Sequence, residues 1–454
     1  MHGSVRKGGT PDNSKDENVF NIQQGVAISL FIKNKSQEKC KVYYYDVWGK
    51  REDKYTWLNN NDKNTTNWVE LEPHSPWYFF VPKKEKYLKE YQKYPSIKDI
   101  FLVNSVGVVT SRDNFVIDFD KEALKNRIMM FRNPSKSDEE IRFTYKLKDT
   151  STFNLKEARE ELSKDKNWDK YFTQILYRPF DKRWIYYNKN VIERPLLKVM
   201  QHMRKENLGI ITVRQSRSTG SFCHAMVSDI IIEACAISNR GSEINYLFPL
   251  WLYPEDIFNN GQTEEQRRAN MDSKITDRLN KSYKKKLLPE QIFYYIYGIL
   301  YSNTYRKKHD EFLKYDFPRI PFTNDYSAFN KISKLGKKLV DLHLLRPEEV
   351  LDPPIVRFWG EGGDCRVEKV EFRDNRVEIN KIKYFDKVLK NMWEYQIGGY
   401  QVLEKWLKER KDRILSYDEL CNYNGCGTAI ARTIQIQKEI DKIYPKAEKG
   451  IIDF

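Results

Sequence analysis

Residues 175–189, ILYRPFDKRWIYYNK, decide how the chain is read. Apolar and aromatic residues run on both sides of a tight polar turn, a pattern that predicts two joined strands. Arg178 and Arg183 flank Asp181, which predicts a structural ion-pair turn set between buried aromatic rings. The surrounding block has the same texture. NLGIITVRQ (207–215), DIIIEACAIS (229–238) and YLFPLWLYP (246–254) are β-rich runs, and ERPLLKVMQHM (193–203) is helix-like. Together they predict a mixed sheet with short helices.

Helical spacing dominates further out. LKEAREELSKDKNWDKYF (155–172) follows Asn154, a candidate N-cap. EQIFYYIYGILYSNTYRKKHDEFLKY (290–315) predicts one long helix that ends at Phe317-Pro318-Arg319. YSAFNKISKLGKKLVDLHLL (326–345) predicts a second. GGYQVLEKWLKERK (398–411) and GCGTAIARTIQIQKEIDKIY (425–444) predict helices that close the chain. CRVEKVEFRDNRVEINKIKYF (365–385) predicts a hairpin turning at Asp374-Asn375. IFLVNSVGVVT (100–110) is strand-like, and residues 255–285 read as a highly charged long connector or a partly mobile insertion. Near the start, 25–33 (with the apolar run VAISLFI, 26–32) and 41–48 predict an antiparallel pair. The run VAISLFI suits a strand buried on both faces of an α/β sheet, and WLNNNDKNTTNW (57–68) predicts a surface loop.

Composition bounds the function. The 454 residues suffice for two or three domains. Lys+Arg exceeds Asp+Glu by 79 − 64 = 15, an excess that favours an anionic partner, most commonly nucleic acid. The six cysteines are scattered without a CxxC, and none meets a histidine at zinc spacing, so no metal site is expected. Cys421 and Cys426 are expected to lie in a loop. No signal-peptide pattern opens the chain, and 225–237 is too short and too charged to span a bilayer. A cytoplasmic protein with reduced thiols is the expectation.

The usual marks of an enzyme are missing. No GxGxxG or FxGxG opens a strand–helix unit, no GxxxxGK[ST] or GxSxG occurs, and no catalytic residue is assigned. LDPPI (351–355) superficially resembles the catalytic loop of amino-methyltransferases. Ile355 stands where that loop has an aromatic residue, and the stretch is read as a Pro-rich turn. What the chain does offer is polar, basic loops beside sheet segments. Arg214, Gln215, Arg217 and Thr219 follow the NLGIITV strand. Arg and Gln suit the edges of guanine and adenine, and Ser, Thr and glycine amides suit phosphates. A solvated hairpin tip fits the same residues. Ser111 and Arg112 form a second such turn. Arg306, Lys307 and Lys308 suit a phosphate backbone, or decorate a solvated helix face.

Longer stretches carry a family likeness. HGSVRKGGTPDNSKDENVFNIQQGVAI (2–28), YRPFDKRWIYY (177–187), SEINYLFPLWLYP (242–254), ILYSNTYRKKHDEFLKYDFPRIPF (299–322) and IGGYQVLEKWLKERKDRILSYDEL (397–420) occur in this order. They resemble the C-terminal part of type ISP and related type IIG-like restriction–modification enzymes. The resemblance implies an α+β fold: a mixed-sheet target-recognition domain with C-terminal helices, preceded by the last strands of a Rossmann-like methyltransferase sheet. It implies a methyltransferase remnant at 1–50, a connector at 51–150 and the target-recognition domain at 151–454. It also implies duplex DNA as partner, read at a defined site so that an adenine reaches a methyltransferase pocket supplied elsewhere. S-adenosylmethionine belongs to the full-length family, and its site is not expected in this chain. Two alternatives stay open: half of a split adenine-specific methyltransferase that needs a separate methyltransferase, helicase or nuclease chain, and a basic protein that binds DNA without sequence preference.

Overall fold

The computed structural model describes residues 14–22, 24–33, 40–75, 77–82, 87–216, 220–239, 243–254 and 267–454. Internal contacts divide the chain into Met1–Glu85 and Lys86–Phe454. The division falls at 85/86 and not at 150/151 because residues 105–118 supply strands to the sheets of the second unit.

In the first unit, β1 (Val42–Tyr44) pairs antiparallel with β2 (Val69–Leu71), and α1 (Arg51–Asn60) lies between them in sequence. The buried Lys54 ammonium holds the unit together, reaching Asp16 at 2.7 Å and the Glu17 carbonyl at 2.6 Å. The expected pairing of 25–33 with 41–48 is therefore replaced. VAISLFI forms no strand, and Leu30, Phe31 and Ile32 are more than four-fifths exposed. Part of the expected 57–68 loop is the end of α1, and Asp62 then turns the chain by accepting the Asn64 and Thr65 amides.

The second unit holds three four-stranded sheets: one joins Arg357–Trp359, Tyr384–Asp386, Arg376–Glu378 and Glu371–Arg373, and the other two form its central block. The strands of these two are β3 (Ser105–Val106), β4 (Ile117–Asp118), β5 (Phe172–Arg178), β6 (Asp181–Tyr186), β7 (Gly209–Val213), β8 (Ala225–Ser228), β9 (Ile231–Ile232) and β10 (Asn245–Pro249). One sheet has the order β3-β10-β7-β8 and the other β4-β6-β5-β9, where β9 runs parallel to β5. The segment after β3 joins them. Gly107 N donates to Asn245 O in the first sheet, and the next residue, Val108, donates to Ile232 O in the second. A Cβ at Gly107 would stand 2.5 Å from the Glu233 carbonyl oxygen, so this crossing requires glycine.

The β5–β6 hairpin is the ion-pair turn that its sequence predicts, with different partners. Asp181 is fully buried between Arg183 (2.7 Å) and Arg410 (2.7 Å), while Arg178 turns to Glu233 at 2.7 Å. Arg183 also meets Glu409, and Arg410 meets Glu419. Guanidiniums of Arg183, Arg410 and Arg413 gather around the Phe119 ring. Burial opposes the charge on Glu409, but hydrogen bonds from Lys405 and Arg183 bring its carboxyl down to about 2.

Helices Pro289–Tyr301, Tyr326–His343 and Tyr417–Ala447 pack against one another behind the sheets. The predicted long helix at 290–315 breaks at Ser302. Its extended backbone starts a new helix, Asn303–Lys308, by capping Tyr305 N, and its hydroxyl is held by Asp441 at 2.8 Å. Cys421 and Cys426 lie on the last helix, not in a loop. LDPPI is a turn packed on that helix, where Ile355 N donates to Thr428 Oγ1. The Asp374-Asn375 turn joins Glu371–Arg373 to Arg376–Glu378, and both turn residues have positive φ, as a two-residue hairpin demands. Within the expected 255–285 connector, Ser273–Tyr283 is a helix capped by Asp272, with Leu279 and Tyr283 buried one turn apart. Among the described residues no helix is long and apolar enough to cross a membrane.

Asp181→Ala leaves Arg183 and Arg410 without their shared carboxylate and should cost about 3–5 kcal/mol, measured by denaturant unfolding. Burial also sets a pH dependence. His309, enclosed by Tyr91, Tyr305 and Phe312, and His343, bonded to Tyr297 and Thr433, are both brought down to about 3 by burial. The unfolded chain, with histidines near 6.5, thus takes up protons that the folded chain refuses. Stability is full above about pH 6.5 and falls below it by up to about 1.4 kcal/mol per pH unit for each ring. The thermal midpoint should drop between about pH 7 and about pH 5. A flat profile would show that these rings protonate in place.

Candidate nucleic-acid interface

All five residues of β7 are buried, and its chain emerges at Arg214 and Gln215, both exposed. Arg214 keeps 60% of its side chain exposed and makes a loose 3.4 Å ion pair with Asp316. Its guanidinium face therefore stays open to a ligand. The next residue turns inward. Ser216 N donates to Lys314 O at 3.1 Å, and its hydroxyl donates to Glu243 at 3.2 Å. Arg217 and Thr219 lie outside the described residues.

Glu243 is a feature that sequence reasoning missed. Its carboxylate is buried and accepts from three groups: Ser216 Oγ, His224 Nε2 at 3.1 Å and Ser238 Oγ. Ser216 and His224 are the two stems of the loop between β7 and β8. Ser238 and Glu243 are the stems of the loop that enters β10. One carboxylate thus ties four stems of two neighbouring loops. The β10–β7 register, in which Asn245 faces Val213, puts these stems at the same end of the sheet. Phe222 N adds a bond to Asp310 at 3.1 Å, so the same short segment, 310–316, supports both sides of the first loop. A buried carboxylate near polar loops is a signal in the sequence only as SEINY beside an apolar strand. Its partners 5 to 27 residues away cannot be read from spacing.

The other candidates fall into two groups. Ser111 is exposed in a left-handed turn at φ 57°. Beside it, Arg112 donates to the Val191 carbonyl at 2.9 Å, pairs with Glu193 at 3.1 Å and lies 4.0 Å from the Phe153 ring centre. That guanidinium is occupied in joining two loops. Arg306 is buried, donates to Leu300 O at 2.6 Å and stacks over Tyr301. Lys308 is held between Glu90 and Glu448. Lys307 alone of these three is exposed, at the rim of an open cleft with Tyr87, Asn303 and Thr304. The arrangement brings Arg214 and Gln215 together on a braced edge; Ser111 and Lys307 belong to other surfaces. No group of three His, Cys, Asp or Glu side chains among the described residues is placed to hold a metal.

The chain has known relatives in sequence and in fold. A sequence profile described as the Type ISP C-terminal specificity domain matches residues 99–443. Among proteins of curated function no sequence matches. Three solved structures are similar in fold. A DrdV–DNA complex aligns with TM-score 0.70 at 19% identity, over 97% of this chain and 47% of that one. The ATP-dependent Type ISP restriction–modification enzyme LlaBIII, bound to DNA, aligns with TM-score 0.70 at 21% identity, over 97% and 30%. A nuclease-deletion mutant of the Type ISP restriction–modification enzyme LlaGI, in complex with a DNA substrate mimic, aligns with TM-score 0.64 at 20% identity, over 95% and 35%. The chain spans less than half the length of each of these structures. With the profile covering more than half of its residues, the chain belongs to the Type ISP C-terminal specificity domain family.

Proposed function

We propose that this chain recognises a defined sequence in duplex DNA, as the specificity part of a restriction–modification enzyme. The observation that carries this function is the Arg214-Gln215 edge, open to solvent and braced from beneath by the Glu243 carboxylate. Arg bridges guanine O6 and N7, and Gln bridges adenine N6 and N7, each worth about 1–3 kcal/mol of discrimination. Ser111, Lys307 and the neighbouring Arg217 and Thr219 are assigned to the same task of holding DNA. Adenine-N6 methylation, S-adenosylmethionine binding and cleavage would be supplied by other segments or chains, in the cytoplasm. No strand–helix unit of this sequence opens with FxGxG, and no NPPY loop occurs in it.

Selection from a random duplex library on the purified chain tests the proposal, and an enriched motif containing an adenine is expected. Arg214→Ala and Gln215→Ala should each relax preference at one position by about 1–3 kcal/mol and leave the others intact. Binding without enrichment, vanishing as salt rises, would instead mark a basic surface with no site preference. Glu243→Gln places an amide donor among donors from Ser216 and Ser238. It should narrow the gap between specific and random duplex by about 1–3 kcal/mol while the salt dependence stays as it was. Equal preference before and after would make the buried carboxylate a matter of stability alone.

A further inference from the structure

The helix Ser273–Tyr283 and the residues just after it carry a stripe of cations. Lys274, Arg278, Lys281 and Lys285 recur every three or four residues, and all four are exposed. Lys274, Arg278 and Lys281 share one helix face, opposite in role to the buried Leu279 and Tyr283, and Lys285, past the left-handed Lys284, adds a cation beside the helix end, 4.2 Å from the Tyr326 ring centre. Neighbouring parts of the fold add to it. Tyr283 donates to the Thr323 carbonyl, Asn324 N donates to Gly450 O at 2.8 Å, and Arg278 Nε donates to Asp453 O at 3.0 Å. These bonds bring the end of the last helix, with exposed Lys446 and Lys449, beside the stripe. Acidic groups offset part of the charge. Asp325 caps its own helix and is paired with Lys446, and Asp277 is the one acid on the Ser273–Tyr283 helix.

A merely solvated helix face has no use for charges of one sign. Like charges three and four residues apart weaken a helix, and a cation in the first turn opposes the helix dipole. Lys281, in the last turn, suits the dipole; Lys274, in the first, does not. Mixed Lys and Glu would be as soluble and hold the helix better, so the uniform sign points to an anionic partner. From Lys274 to Lys281 the stripe runs about 10 Å at the helical rise, a length suited to a few successive phosphates. Its position is separate from the Arg214 edge. Asn270 N donates to Leu250 O and Asp272 N to Ile100 O, so the helix starts beyond the Pro249 end of β10, whereas Arg214 leaves beside the Asn245 end.

We propose that this face is a second DNA-binding surface, which holds the phosphate backbone of the duplex outside the bases addressed by Arg214 and Gln215. The partner's class rests on the DNA-recognition function above; the location does not. The test compares the full chain with the variant Lys274→Gln/Lys281→Gln/Lys285→Gln, using a mixed-sequence duplex and the duplex enriched by wild type. Affinity for both should fall alike, by about tenfold or more at physiological salt, and the plot of log K against log salt should flatten by about 0.9 for each phosphate that is no longer neutralised. The motif enriched from a random library should not change. The corresponding Lys→Arg variant, which keeps the charge, should bind as wild type. Unchanged affinity and slope in the glutamine variant, with wild type still enriching a motif, would overturn the second surface alone. A wild-type chain that binds no duplex at any salt would overturn the recognition function itself.

Discussion

Much of the second unit depends on one buried carboxylate. Asp181 sits at the start of β6, out of reach of water, and its two oxygens are taken by Arg183 on the same strand and Arg410 from the C-terminal region. Taking three such charges from water carries a penalty of several kcal/mol per ion before relaxation, recovered only with good geometry and further partners. Those partners are present: Glu409 on Arg183, Glu419 on Arg410, and the faces of Phe119 and Trp406 against the guanidiniums. A network this complete tolerates little displacement. It fixes the β5–β6 hairpin against the helices Val402–Lys408 and Tyr417–Ala447, and through β9 and Val108 it reaches the sheet that carries the Arg214 edge.

Arginine in this fold therefore has two fates. Arg112, Arg178, Arg183, Arg306 and Arg410 are buried or nearly so, each against carbonyls, carboxylates or rings. They cement loops and strands, as a planar guanidinium with several donors does well. Arg214 differs by what it lacks: a single long ion pair leaves most of its donors facing solvent. Net charge alone does not separate these roles. The +15 of the sequence counts every arginine equally, whereas the charge that a partner meets comes from the exposed residues only.

Local signals were legible and long-range ones were not. The Asp374-Asn375 hairpin, the Asn154 cap and the amphipathic Tyr326–His343 helix each rest on residues within a few positions, and the structure has all three. The sign of the Asp181 turn was also legible, because Arg183 lies two residues away. Arg410 lies 229 residues away and no spacing rule reaches it. The same limit hid the Glu243 clamp, and it misplaced Arg306. Helical periodicity put Arg306 on an exposed face of a long helix, but Ser302, fixed by Asp441 from the last helix, breaks that helix and turns the side chain inward. Near the start, an apolar run looked like a buried strand because composition alone cannot say which backbone it pairs with. The β1 strand found its partner across α1 instead.

Why a reading edge should be braced follows from the entropy of ordering. Fixing a backbone residue costs about 1–2 kcal/mol, comparable to the discrimination that one bidentate base contact provides. A loop ordered only on binding would lose that discrimination to its own ordering, and would bend to fit a wrong base as readily as the right one. Glu243 avoids this by joining the loop stems before any ligand arrives, and the hydrogen bonds from Phe222 and Ser216 to the 310–316 segment do the same from the other side. Contacts to phosphate face no such demand, because they add equally for every sequence and tolerate movement of a long side chain. Braced loop stems at one end of a sheet and long-stemmed lysines at the other fit these two requirements. Under the proposed function, specificity would depend on the geometry of a few atoms near Arg214, and affinity on charge spread across a helix face.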